Sequence, residues 1–111
     1  NPAGPSLREP NFKLERAADF IREHCTELLN LDDICAAAQL SPSYLIRAFK
    51  QHYGMTPHAF LVNQRIQFAR ERLRSGQLIA DVALEAGFAD QAHFQRAFKQ
   101  HLAATPGQYR G

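Results

Sequence analysis

Six consecutive residues of this chain occur twice. Arg47-Ala48-Phe49-Lys50-Gln51-His52 returns letter for letter as Arg96-Ala97-Phe98-Lys99-Gln100-His101, 49 positions later. Thr56-Pro57 returns at the same offset as Thr105-Pro106, and Phe60 answers to Tyr109. Upstream the offset is 48: Asp33-Ile34-Cys35 aligns with Asp81-Val82-Ala83, and Leu40 with Phe88. The two copies therefore differ by one residue in a turn. A repeat of this period fixes the architecture before any local reading does.

Each copy reads as a short helix, a brief turn and a longer helix. In the first, Leu31, Ile34, Cys35 and Ala38 fall on one helical face. After Leu40 and the break Ser41-Pro42, the residues Leu45, Ala48, Phe49 and His52 mark the inner face of a second helix. The second copy gives Ile79, Val82, Ala83 and Ala86, then Gly87-Phe88-Ala89-Asp90, then Phe94, Ala97, Phe98 and His101. This is a helix-turn-helix pattern, whose second helix commonly enters the DNA major groove. Gly87 suits a left-handed turn. Gln39 fills that place in the first copy, so a less free or differently shaped backbone is expected there.

If the apolar residues point inward, helical geometry fixes what points out. On the first long helix that is Ser43, Ile46, Arg47 and Lys50, spaced i, i+3, i+4, i+7. In the second copy it is Ala92, Gln95, Arg96 and Lys99. The copies share the cations and differ elsewhere. Common anchors with variable neighbours are what a reader of two unlike half-sites needs.

The formal net charge is only +2, but it is unevenly distributed. Residues 1–40 carry four Lys/Arg against seven Asp/Glu; residues 41–75 carry six against one. Positive charge thus gathers on the long helices and the segment joining them, either as a polyanion-binding footprint or as ordinary solvated faces.

The rest of the chain fits around the repeat. Residues 1–11, rich in Pro and polar groups, read as an interdomain linker or cloning remnant of a longer protein that does not begin here with Met. A helix from about Phe12 to Leu29 is expected, with Leu14, Ala17, Ala18, Ile21, Cys25 and Leu28 on one stripe and acids on the other face. Asn30 is placed to cap the next helix. Residues 12–56 form the first helix-turn-helix subdomain, 57–75 a linker helix and 76–111 the second subdomain. Thr56 caps the linker helix, with Pro57 at its first position. Its roughly 18 residues, at ~1.5 Å each, span about 27 Å, against ~34 Å between successive major-groove openings. Val62, Ile66, Ala69 and Leu73 suit one subdomain; Leu61 and Phe68 suit the other. Arg65, Arg70, Arg72 and Arg74 make the helix basic. Thr105-Pro106 opens a last short helix, whose Tyr109 should plug the second subdomain as Phe60 plugs the first. The fold class is all-α, about seven helices in all.

Two helix-turn-helix units joined by a long helix resemble the DNA-binding domain of the AraC/XylS family of bacterial transcription regulators. The second unit carries the likeness most fully: Ile79 through Ala83, Gly87-Phe88, His93-Phe94, Arg96 through Lys99, and Thr105-Pro106 to Tyr109-Arg110. Pro57, Phe60, Arg65, Ile66, Ala69 and Leu73 carry it along the linker, and about residues 14–111 are covered. Position by position, the resemblance puts base-reading places at Ser43, Ile46 and Arg47, and at Gln91, Ala92, Gln95 and Arg96. Ile46 and Ala92 are apolar where polar readers are frequent in the family, and Ala103 stands where Gly is usual. The family implies double-stranded promoter DNA as partner and RNA polymerase as a second partner for an activator; the lack of a transmembrane-length apolar run and of a signal-peptide pattern leads to the expectation of a cytoplasmic setting with no membrane.

Read for chemistry, Arg47 and Arg96 can each donate twice to guanine, Gln91 and Gln95 suit adenine, and Ile46 and Ala92 suit thymine methyls. Lys50, Gln51 and Lys99 lie further along and suit phosphate, as do the N–H groups where the long helices start at Ser41-Pro42 and Asp90-Gln91, although the Asp90 carboxylate opposes a close approach at the second. Two units on one chain imply an asymmetric site of about 20 base pairs read by a monomer, with DNA bending at a cost of about 1–6 kcal/mol if the linker is stiff. The competing readings are an all-helical protein-interaction module with a basic face, and an enzyme. The sequence has no nucleophile–base pairing and no Gly-rich phosphate loop, and its five His are scattered, so no catalytic residue, metal site or cofactor is expected. Cys25 and Cys35 read as buried free thiols.

Overall fold

The structure, a computed structural model, describes the backbone of residues 4–110 and the side chains of residues 11–109. The described residues form seven helices and no strand: α1 (Gly4–His24), α2 (Leu31–Ala38), α3 (Pro42–Tyr53), α4 (Pro57–Arg74), α5 (Ile79–Glu85), α6 (Gln91–Leu102) and α7 (Pro106–Arg110). They divide into two compact units. The first holds α1, α2, α3 and the start of α4 as far as Leu61; the second holds residues 25–28 and everything from Val62 onward.

In the first unit α1 packs on α2 and α3. Its stripe of Leu14, Ala17, Ala18 and Ile21 is buried together with Ile34, Ala38, Leu45 and Phe49. α2 starts at a reciprocal cap. The Asn30 side chain accepts from the Asp33 N–H at 2.9 Å, and the Asp33 carboxylate accepts from the Asn30 N–H at 3.1 Å. Phe60 closes the unit, its ring meeting Phe49 edge-on at 5.4 Å. Thr56 caps α4 as expected, its hydroxyl accepting from the Ala59 N–H at 3.2 Å.

The second unit buries Val62, Ile66, Ala69 and Leu73 of α4 with Val82, Ala83 and Ala86 of α5, then Phe88, Phe94, Ala97 and Phe98. Tyr109 packs on this core, edge-on to Phe98 at 5.2 Å, and so mirrors Phe60. α7 opens on its own reciprocal cap, Thr105 with Gln108.

Four expectations need correction. α1 starts before Phe12 and stops at His24, short of Leu29. The early stop follows from a side chain forty positions away: Arg65 takes up the carbonyls of Cys25 and Glu27, just past the helix end. Phe68 packs against the same core as Val62 and Ile66 rather than elsewhere. His52 and His101 are exposed, not inner-face residues. In the last turn the inward role passes to the next residue. Tyr53 stacks on Phe49 at 4.5 Å, and Leu102 packs on the second core. Finally, of the two alternatives at Gln39 the differently shaped backbone is wrong: it has the same left-handed backbone as Gly87.

Candidate nucleic-acid interface

The outward faces of α3 and α6 are built from within. Ser41 caps α3, its hydroxyl accepting from the Tyr44 N–H at 3.4 Å, and Pro42 occupies the first turn. Leu45 and Phe49 are wholly buried, which turns the opposite face to solvent. Asp90 caps α6, its carboxylate accepting from the His93 N–H at 2.7 Å. Phe94 and Phe98 are wholly buried there. α3 ends at the left-handed Gly54, φ 79°, and α6 at Ala103, φ 54°, so the missing glycine leaves the helix end where it is.

Each unit by itself presents the face expected of it. Ser43, Ile46, Arg47, Lys50 and Gln51 are exposed on α3, and Gln91, Ala92, Gln95, Arg96 and Lys99 on α6. Ile46 is a large apolar side chain left 41% exposed between polar neighbours. The Arg47 guanidinium lies 5.8 Å from the Tyr44 ring, a cation–π contact that limits its wandering. Neither Arg47 nor Arg96 forms an ion pair among the described residues, so both keep their donors free for another acceptor. The α6 start carries the opposing carboxylate expected there. The Asp90 carboxylate already occupies the His93 N–H and puts negative charge where a phosphate would come.

The basic face of α4 is not uniform. Arg72 lies 4.8 Å from the Phe68 ring, and Arg70 and Arg74 lie 5.4 and 5.9 Å from Tyr109. Arg65 is buried at 8% exposure, and its burial lowers the guanidinium pKa from the usual value. Helical spacing does separate Arg65 from Arg74, because it falls three residues after Val62 and four before Ala69 on the buried stripe, but its charge argued for solvent. Cys25 and Cys35 are free and buried, and burial pushes both thiols above their ordinary pKa. Among the described residues no cluster of His, Cys, Asp and Glu could hold a metal ion. No described helix is long and apolar enough to cross a membrane.

A helix-turn-helix domain family of the AraC type matches residues 34–111. The chain belongs to the AraC/XylS family. Among its curated relatives is the transcriptional regulator MtrA of Neisseria gonorrhoeae, 40% identical over 82 residues, which are 73% of this chain and 27% of that protein. Across the first curated AraC/XylS relatives the chain spans between 13% and 33% of their length. Among solved structures, an AraC-type regulator from Chromobacterium violaceum superposes with a TM-score of 0.84 at 30% identity, covering 90% of each chain. The DNA-binding domain of AdpA, in complex with a target DNA, gives 0.81 at 26% identity, covering 87% of this chain and 88% of that one.

Proposed function

We propose that this chain is a sequence-specific reader of double-stranded promoter DNA within a transcription regulator. α3 and α6 would each enter the major groove, in neighbouring openings of one asymmetric site. The observation that carries the reading is the repeated ridge: Arg47 with Lys50, and Arg96 with Lys99, exposed on helices whose opposite faces are wholly buried phenylalanines. Membership of the AraC/XylS family supports it, as does the DNA-bound state of the AdpA domain.

In this reading Arg47 and Arg96 each pair with a guanine, worth about 1–3 kcal/mol of discrimination apiece. Gln91 and Gln95 meet adenine, and Ile46 and Ala92 meet thymine methyls. Ser43 sits at the start of α3 beside the bases. Lys50, Gln51 and Lys99 hold phosphates and set register without reading sequence. The chain acts as a monomer in the cytoplasm, and as an activator it would work on RNA polymerase. The test is selection of duplexes from a random pool, followed by titration at several salt concentrations. A common preferred site of about 20 base pairs, with affinity falling steeply with salt, is expected. Equal binding to all pool members would contradict it.

A further inference from the structure

The second unit contains a buried cation that the DNA face does not use. Arg65 Nε donates to the Cys25 carbonyl at 2.6 Å and Nη2 to the Glu27 carbonyl at 3.0 Å. The fork thereby fastens residues 25–28 to the middle of α4, all within the second unit. Gly87, in the turn between α5 and α6, closes against the same point. A Cβ there would lie 2.9 Å from Arg65 Nε and 3.1 Å from the carbonyl oxygens of Cys25 and Thr26. The next residue, Phe88, sits with its ring centroid 6.0 Å from the guanidinium. That ring in turn meets His93 at 5.3 Å and Phe94 at 5.2 Å, both on α6. A continuous line of contacts therefore runs from Arg65 through the turn to the first turns of the reading helix.

The repeat shows that this line is peculiar to the second unit. At the offset of 48 that aligns Asp33 with Asp81, Arg65 answers to Ala17 and Gly87 to Gln39. One unit has a small residue on its supporting helix and a long one in its turn; the other has the reverse. With Arg65 and the Cys25 and Thr26 carbonyls in place, the turn has room only for glycine at position 87.

We infer that Arg65 is a positioning residue for α6, setting through the Gly87 turn how the second reading helix meets its half of the DNA site. The inference rests on the DNA reading above. Lysine would keep the charge but lacks the planar fork that serves two carbonyls at once.

The test uses the selected duplex, with single base changes in each half. The half whose discrimination Arg96→Ala relaxes belongs to α6, and the half that Arg47→Ala relaxes belongs to α3. Arg65→Ala, Arg65→Lys and Gly87→Ala are each expected to cut discrimination in the Arg96 half by about tenfold, the scale of one lost bidentate pair. The Arg47 half and the salt slope should stay unchanged. Undiminished discrimination in the Arg96 half would overturn the inference. So would recovery with Arg65→Lys, which points to a phosphate contact, or equal loss in both halves, which points to general destabilisation. If the wild-type chain shows no sequence preference, the DNA reading itself fails. Amide exchange in α6 then decides the positioning role alone: faster exchange in Arg65→Lys upholds it, and unchanged exchange overturns it.

Discussion

Gln39 and Gly87 hold the same place in the two units and share a left-handed backbone, φ 59° in one and 96° in the other. Each ends the first helix of its pair, and in each unit the following residue, Leu40 or Phe88, donates its N–H back to a carbonyl of that helix. The turn is dictated by this geometry, not by glycine. What differs is the surroundings: Gly87 has no room for a Cβ, whereas Gln39 is exposed.

Substitutions at these two sites should therefore act in opposite directions. The left-handed conformation costs a residue other than Gly roughly 1–2 kcal/mol. Part of that is offset by glycine's larger unfolded-state entropy, about 0.5–1 kcal/mol. Gln39→Gly should then stabilise the chain by about 0.5–1 kcal/mol in urea melts. Gly87→Ala adds close contacts to the backbone cost and should destabilise by about 2 kcal/mol or more.

The helix caps give a second contrast. Asn30 makes a reciprocal cap on α2, while its counterpart Leu78 has no side-chain cap bond and is 60% exposed. Asn30→Ala should cost about 1 kcal/mol of stability. Leu78→Asn, with Asp81 in position to reciprocate as Asp33 does, should gain about the same. Thermal melts of the two variants, moving in opposite directions, would check both.

Asp90 separates helix stability from DNA affinity. Its carboxylate caps α6 but opposes phosphate at the same helix end. Asp90→Ser retains a good cap and removes the charge. It should leave melting unchanged within about 0.5 kcal/mol while tightening binding to cognate and random duplex alike, by about threefold on the 0.3–1 kcal/mol scale of a charge at a helix end. Filter binding or fluorescence anisotropy would read it.

Much of this structure was legible because it is local. The repeat located α2, α3, α5 and α6; caps at Asn30, Thr56 and Thr105 located helix starts. The outward positions of Arg47 and Arg96 followed from helical spacing against buried Phe49 and Phe98. The misses were all matters of tertiary contact. The end of α1 and the burial of Arg65 depend on one hydrogen-bonded fork spanning forty residues. His52 and His101 satisfy the inward spacing, but Tyr53 and Leu102 fill the space beside each core, and the His101 ring settles on its own helix, Nδ1 2.9 Å from the Ala97 carbonyl. Phe68 belongs to the second core, not the first, and spacing alone did not assign it because α4 gives apolar residues to both units and so has no single stripe to read.

The central claim is that the shared arginines read bases while the lysines a turn further along hold phosphate. Competition binding of Arg96→Ala and Lys99→Ala to the selected duplex and to random duplex, across a salt series, tests it most directly. Arg96→Ala should lose discrimination by about 1–3 kcal/mol, concentrated at one base pair. Lys99→Ala should weaken both duplexes alike and reduce the salt slope by about one. If Lys99→Ala changes sequence preference, or Arg96→Ala weakens cognate and random DNA equally, the division of roles is contradicted.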